Sequence, residues 1–182
     1  MEFRVLNESE KYRYREELLD ILSVNDQNFI PPLSQRSSTT QKNLQGTAEE
    51  GDIRPYFGKM MEQNILAIFH EGTLIGYVSY IDHYISDVVS VDTHPNIYLS
   101  TLVLRPEFRG MGATKQAYAR LFRELYPDRN VFTRTWSTNA AHIKILSGFR
   151  FVEWKRLPND RGEGIDTVYY FKKPGEQDEY CL

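Results

Sequence analysis

The feature that most constrains this chain is the run Leu102-Val103-Leu104-Arg105-Pro106-Glu107-Phe108-Arg109-Gly110-Met111-Gly112-Ala113-Thr114. An apolar strand is stopped by Pro106, a short loop with two glycines follows, and a long amphipathic helix starts at Ala113. Gly110 and Gly112 allow backbone conformations and close approaches that a side chain would block. The first N–H groups of the helix have no intrahelical acceptor, and the helix dipole adds partial positive charge to them. Arg109 contributes a full charge and Thr114 a hydroxyl. The segment therefore forms an anion cradle, and a pyrophosphate is its natural ligand. The same residues also make a plain tight strand-to-helix turn, so the loop alone leaves both readings open. It is not a P-loop, because no Gly-Lys-Ser/Thr follows, and it lacks the third glycine of a dinucleotide fingerprint.

The elements around this loop limit the fold further. Phe3–Leu6 reads as a strand, and Glu8–Asn25 as a helix with Tyr14, Leu18, Ile21 and Leu22 on one face, capped by Asn7 or Ser9. Gln27–Gln45 reads as a long polar loop, and a second helix is expected within Ala48–Gln63. Ile65–Phe69 and Thr73–Ile81 are strands joined by His70-Glu71-Gly72, Asp87–Asn96 is a polar turn, and Ile97–Leu104 is the strand that enters the loop. Ala113–Tyr126 is the strongest helix and ends at Pro127. Strand Asn130–Trp136, short helix Asn139–Leu146 and strands Phe149–Leu157 and Ile165–Lys172 follow, the last two joined by a hairpin loop Pro158–Gly164. This order predicts an α+β fold with a mixed, mostly antiparallel central sheet and helices on both faces. Residues 1–173 are expected to form one domain and 174–182 a loose C-terminal tail.

Composition excludes some function classes. The net charge of −3 gives no global reason to bind nucleic acid or an anionic membrane. Cys181 is the only cysteine, so no internal disulfide can form. His70, His83, His94 and His142 show no pair at metal-ligand spacing, so no metal is expected. No apolar run approaches the ~20 residues of a membrane span, and the N-terminus lacks a signal-peptide stretch. A cytoplasmic, soluble protein is expected.

A second segment, Asn139-Ala140-Ala141-His142-Ile143-Lys144-Ile145-Leu146-Ser147-Gly148-Phe149, completes a pattern. Together with Leu104-Arg105-Pro106 and Arg109-Gly110-Met111-Gly112-Ala113, it resembles the GNAT superfamily of acetyltransferases. That family's cofactor motif is Gln/Arg-x-x-Gly-x-Gly/Ala after a strand ending in Val-x-Pro. Its next strand is followed by an Asn, a short helix and a Gly-Phe. Thr114 replaces the usual last small residue, and the short helix lacks about half a turn. The two motifs cover Ile97–Phe151, and the element order extends the resemblance over most of the chain.

The resemblance implies acetyl-CoA as co-substrate and direct transfer of its acetyl group to a primary amine, on a small molecule or a protein, in a ternary complex. It implies that the backbone of Leu102 faces the acetyl group and that of Leu104 the pantetheine amides. The pyrophosphate would sit on Arg109, Gly110, Met111, Gly112, Ala113 and Thr114, with Asn139 near the pantetheine arm. The acceptor site would be walled by the first two helices, their loop and the last hairpin. A Glu base on the motif strand is common among relatives, and here that position falls on Ser100. A Tyr acid on the short helix is also common, and here the position falls on Lys144 or Leu146. His142 on that helix is either a proton-transfer group or a structural histidine. Asp82, His83 and Tyr84 are either a polar strand end or a water relay. Asp160, Arg161 and Asp166 of the hairpin are candidates for the acceptor side, where carboxylates favour a cationic amine, or else residues of a solvated turn. A second copy of the chain is carried as a candidate partner. A non-catalytic acyl-CoA-binding module is the alternative from another class.

Overall fold

The computed structural model describes residues 1–44, 51–85, 95–176 and 178–180. Its seven strands hydrogen-bond in the order β1-β2-β3-β4-β5-β7-β6 and are mostly antiparallel. They are β1 (Glu2–Val5), β2 (Asn64–His70), β3 (Thr73–Asp82), β4 (Asn96–Leu104), β5 (Asn130–Trp136), β6 (Val152–Leu157) and β7 (Thr167–Lys172). The helices are α1 (Glu8–Arg13), α2 (Arg15–Val24), α3 (Ile53–Met61), α4 (Ala113–Ala119) and α5 (Ala140–Gly148). The chain divides into two compact units, Met1–Tyr80 with Ser100–Ala117 and Ile81–Leu99 with Tyr118–Leu182.

In the first unit, β1, β2 and β3 form an antiparallel meander. The apolar stripes of α2 and α3 supply Leu18, Ile21, Leu22, Tyr56, Phe57 and Met60 to a core that also holds Ile65, Ala67, Tyr77 and Val103. The expected helix Glu8–Asn25 is in fact two. Asn7 and Glu10 form a reciprocal capping box on α1, and the chain leaves helical geometry at Tyr14 before α2 begins. Asp52 caps α3 through Arg54 N–H, and the expected helical residues Ala48–Glu50 lie outside the described residues, as does most of the Asp87–Asn96 turn. The long loop after α2 is packed, with Leu33, Arg36, Thr39 and Leu44 all buried.

In the second unit, β4 and β5 pair in parallel over Asn96–Leu99 and Asn130–Thr133. Parallel neighbours need a crossover connection, and the segment that contains α4 supplies it. The helix predicted over Ala113–Tyr126 is α-helical to Ala119 and π-helical over Arg120–Leu125, with Tyr126 N–H donating to Leu121 O at 2.9 Å. β7 is buried along its whole length between β5 and β6, whereas β6 is an exposed edge strand. Its side chains carry charge, which discourages edge-to-edge pairing. The tail is tied down where it is described. Glu179 N–H donates to Gly148 O at 2.9 Å, Arg123 pairs with Asp178 at 2.5 Å, and Tyr180 packs on Phe149 with ring centroids 4.7 Å apart. The expected Cys181 lies outside the described residues.

Two glycines of the first unit give opposite predictions. A Cβ on Gly76 of β3 would stand 2.4 Å from Val103 O and 3.0 Å from Leu104 Cα, both backbone atoms of β4. Gly76→Ala should therefore destabilise by about 1–3 kcal/mol, the usual cost of overpacking. Gly58 is exposed inside α3, and a Cβ there would meet nothing within 4 Å. Gly58→Ala should stabilise by about 0.5–1 kcal/mol. Urea midpoints of the two variants check the pair; equal midpoints would contradict it.

Candidate active site

The glycine loop is built as the sequence suggests. β4 ends at Leu104, Pro106–Phe108 makes one 3-10 turn, and Arg109 is extended. Gly110 and Gly112 then take φ of +82° and +77°. An added Cβ would meet nothing within 4 Å at Gly110 and only Gln116 Nε2, at 3.8 Å, at Gly112. Glycine is thus required here by its conformation, and the space above the loop is open. The first helical hydrogen bond runs from Gln116 N–H to Gly112 O at 3.1 Å, so the N–H groups of Ala113 and Thr114 precede the helical ladder and can serve an anion. Ala113 is buried and anchors the helix start, while Met111 and Arg109 are exposed. Arg109 donates to the neutral amide oxygen of Asn25 at 2.6 Å, a bond that leaves its charge intact. These features fit a pyrophosphate group.

The strand that enters the loop is held from the other side. Arg105 N–H donates to Ile75 O of β3 at 2.8 Å. The planar trans peptide therefore turns the Leu104 carbonyl away from β3. That carbonyl accepts from Asn25 Nδ2 at 2.9 Å. Leu102 is half-buried on the same strand.

Ser100 heads a buried polar chain. Its hydroxyl donates to Gln63 Oε1 at 2.5 Å and lies 2.8 Å from Ser79 Oγ, and Gln63 Nε2 donates to Thr39 Oγ1 at 2.5 Å. Thr39, Gln63 and Ser79 are all buried. The Ser100 hydroxyl also lies 3.2 Å from Ser79 O, and with its single proton directed at Gln63 or Ser79, Ser100 faces any further partner as an acceptor. Neither Gln63 nor Thr39 was legible as a partner of Ser100, because each joins it from 37 or more residues away along the sequence.

In the second unit, Asn139 is the N-cap of α5. Its Oδ1 accepts from His142 N–H at 3.3 Å, and its Nδ2 donates to Thr135 Oγ1 at 2.9 Å. His142 Nε2 lies 2.9 Å from the hydroxyl of Tyr118, a fully buried residue of α4. Burial lowers the His142 pKa to about 4 and raises that of the Tyr118 phenol. The ring is therefore neutral at pH 7, and it belongs with an aromatic group of Tyr118, Phe122 and Phe149. Asp82 pairs with Arg129 at 3.2 Å and lies 3.2 Å from His83 Nδ1.

The hairpin residues are also engaged. Asp166 pairs with Arg156 at 2.8 Å and accepts from Asn159 N–H, and Arg156 holds its carboxyl below the usual range. Arg161 is buried over the Trp136 ring and donates to Thr167 Oγ1 at 2.9 Å. Thr167 in turn donates to Asp160 at 2.6 Å.

A strand that leads into a glycine loop and a helix start, on a mixed sheet with a parallel β4–β5 pair, is an arrangement that fits an anionic ligand. The chain belongs to the acetyltransferase (GNAT) family, whose profile matches residues 32–149 and so includes both motifs. No curated protein sequence matches it. Solved structures share the fold at low identity. A ribosomal-protein-alanine N-acetyltransferase from Brucella melitensis superposes with a TM-score of 0.62 at 16% identity, covering 95% of this chain and 99% of that one. The yncA protein of Salmonella typhimurium, solved with its cofactor acetyl-CoA, gives 0.63 at 15% identity, with 97% and 95% covered. An aminoglycoside 6'-acetyltransferase type Ii gives 0.65 at 15%, with 97% and 99% covered. The protein is thus an acetyltransferase with acetyl-CoA as co-substrate and an amine as acceptor.

The environment of His142 sets a pH signature. Its folded pKa lies below the unfolded value near 6.5, so the unfolded chain binds the extra proton. This group's contribution to stability is complete above pH 6.5 and is lost as pH falls toward 4. His142→Gln should flatten that part of the stability profile, read from urea midpoints at pH 7, 5.5 and 4.5. Turnover per folded molecule should persist. A loss of ~10²-fold or more per folded molecule would instead make His142 a proton-transfer group.

Proposed function

We propose that this is a cytoplasmic N-acetyltransferase that seats the acetyl-CoA pyrophosphate on the backbone N–H groups from Arg109 to Thr114 and passes the acetyl group to a primary amine beside Ser100. The observation that carries this reading is the open glycine loop with its φ of +82° and +77°, between an exposed arginine and the Ala113 and Thr114 N–H groups of a helix start. The backbone of β4 from Ser100 to Leu104 takes the acetyl-pantetheine arm, with Leu102 next to the acetyl group. Asn139 is assigned to the pantetheine arm as well as to its cap. Among the described residues, no helix is long and apolar enough to cross a membrane, in keeping with this placement.

The chemistry needs a neutral amine, a positioned thioester and a leaving thiolate. Ser100 accepts an N–H of the incoming amine, since its own proton is held by Gln63 or Ser79. The amine lone pair attacks the thioester carbon, the C–S bond breaks, and the amine proton leaves to solvent. Positioning supplies much of the rate. His142 serves as the structural partner of Tyr118. Of the two candidate carboxylates Asp160 and Asp166, Asp166 is neutralised by Arg156, so Asp160 is the one assigned to a cationic acceptor. The acceptor, a small molecule or a protein amine, is to be found by a thiol-release screen of amines. Turnover with any of them excludes a pure binding module.

Acetyl-CoA should raise the melting temperature, because it binds the folded chain alone. Gly112→Asp places a carboxylate at the pyrophosphate position and a side chain at a positive φ, so it should abolish the shift. A folded Gly112→Asp protein with an unchanged acetyl-CoA shift would sink the assignment of this loop.

A further inference from the structure

We propose that Asn25 is a positioning residue for the acetyl-CoA loop: it fixes the Arg109 guanidinium and the end of β4 in the geometry that receives the pyrophosphate. This rests on the reading that Arg109–Thr114 hold that group. Asn25 follows the last residue of α2 and looks like an ordinary helix cap. Its backbone is right-handed, with φ −101° and ψ −5°, so asparagine is not there to supply a left-handed turn. Its side chain is instead fully used in a buried position, 4% exposed. Nδ2 donates to Ile21 O at 2.8 Å and to Leu104 O at 2.9 Å, and Oδ1 accepts from Arg109 at 2.6 Å. One amide thus joins the last turn of α2, the last residue of the motif strand and the first residue of the loop.

The neighbouring contacts point the same way. Arg105, between those two loop positions, pairs with Asp20 of α2 at 2.7 Å and donates to Leu74 O at 3.3 Å. The end of α2 therefore grips the strand exit twice, from about 80 residues away in sequence. Arg109 keeps its other N–H groups and its full charge after bonding to a neutral amide, so it is held without being neutralised. Holding a long, exposed arginine in place removes rotamer freedom that binding would otherwise have to remove. Asparagine suits this position because the site needs two donors and one uncharged acceptor. Aspartate lacks the donors and would neutralise the arginine, and alanine lacks both.

The test measures KM for acetyl-CoA and for S-acetylpantetheine, which lacks the pyrophosphate, in Asn25→Ala, Arg109→Ala and the double variant. Asn25→Ala should raise the acetyl-CoA KM about tenfold, the loss of a hydrogen bond to a charged group, with a much smaller change in kcat. The rise should be smaller with S-acetylpantetheine. The double variant should be worse than Arg109→Ala alone by less than the factor that Asn25→Ala costs in the parent, because part of the Asn25 effect runs through Arg109 and the rest through Leu104 O. If Asn25→Ala does not fold, Asn25→Asp keeps an acceptor for Arg109 but adds a negative charge beside it, and should raise the same KM. Multiplying effects in the double variant, or equal losses with both donors, would make Asn25 a purely structural cap and overturn the proposal. An Arg109→Ala effect on acetyl-CoA without an Asn25 effect overturns it alone. An unchanged acetyl-CoA KM in Arg109→Ala overturns the loop assignment and the proposal together.

Discussion

The close approach of β3 to the end of β4 is the constraint on which the site depends. With no side chain on Gly76, the carbonyl of Val103 can come within 2.4 Å of where a Cβ would be. Ile75 can then accept from Arg105 N–H, and the strand is carried to its last residue before the proline. That hydrogen bond fixes the plane of the Leu104 peptide and so the direction of its carbonyl, which Asn25 then occupies. The glycine loop begins one turn later. Its conformation is local, but its position is inherited from this backbone contact. A loop of this kind on a free chain would have the same dihedral preferences and no defined place.

The parts of the fold read correctly from sequence are those with local causes. Pro106 stops a strand, Gly110 and Gly112 take positive φ, and alternation or apolar runs mark β2, β3, β5 and β7. The break at Tyr14 was missed because the apolar spacing of Tyr14, Leu18, Ile21 and Leu22 continues through it. The π-helical end of α4 was missed for the same reason, since hydrophobic periodicity does not report a change from i→i+4 to i→i+5 bonding.

The site divides along the same line. The glycine loop, proposed to hold the cofactor, was legible as a loop because its glycines act through their own backbone. Asn25, Gln63 and Tyr118 were not, because each acquires its role from a partner on another element. In the sequence, Asn25 and Gln63 stand only at the ends of expected helices, and Tyr118 lies within another. His142 shows the limit most clearly. Its sequence context suggests a titrating group near neutrality, yet burial beside Tyr118 takes its pKa to about 4. Asp166 likewise depends on a partner, because Arg156 of β6 pairs with it.

The hydroxyl at position 100 has a consequence for the acceptor. On the proposed mechanism Ser100 accepts a hydrogen bond and does not take up a proton at neutral pH, so attack draws on the neutral fraction of the amine. For a lysine-like amine with a pKa of about 10.4, forming that fraction at pH 7 costs about 4.6 kcal/mol. For an α-amino group with a pKa of about 7.7–8.0 the cost is only about 1–1.4 kcal/mol. Positioning beside a thioester is worth about 7–11 kcal/mol, enough to offset either cost, but the difference of roughly 3 kcal/mol remains between the two acceptors. A carboxylate base on the strand would narrow that gap by favouring amine deprotonation in the bound state. A buried chain of serine, glutamine and threonine cannot do so, because none of its members changes charge near neutrality. On the proposed mechanism, then, the polar chain would bias the enzyme toward weakly basic amines, and would do so through the residue that stands where the resemblance implies a glutamate.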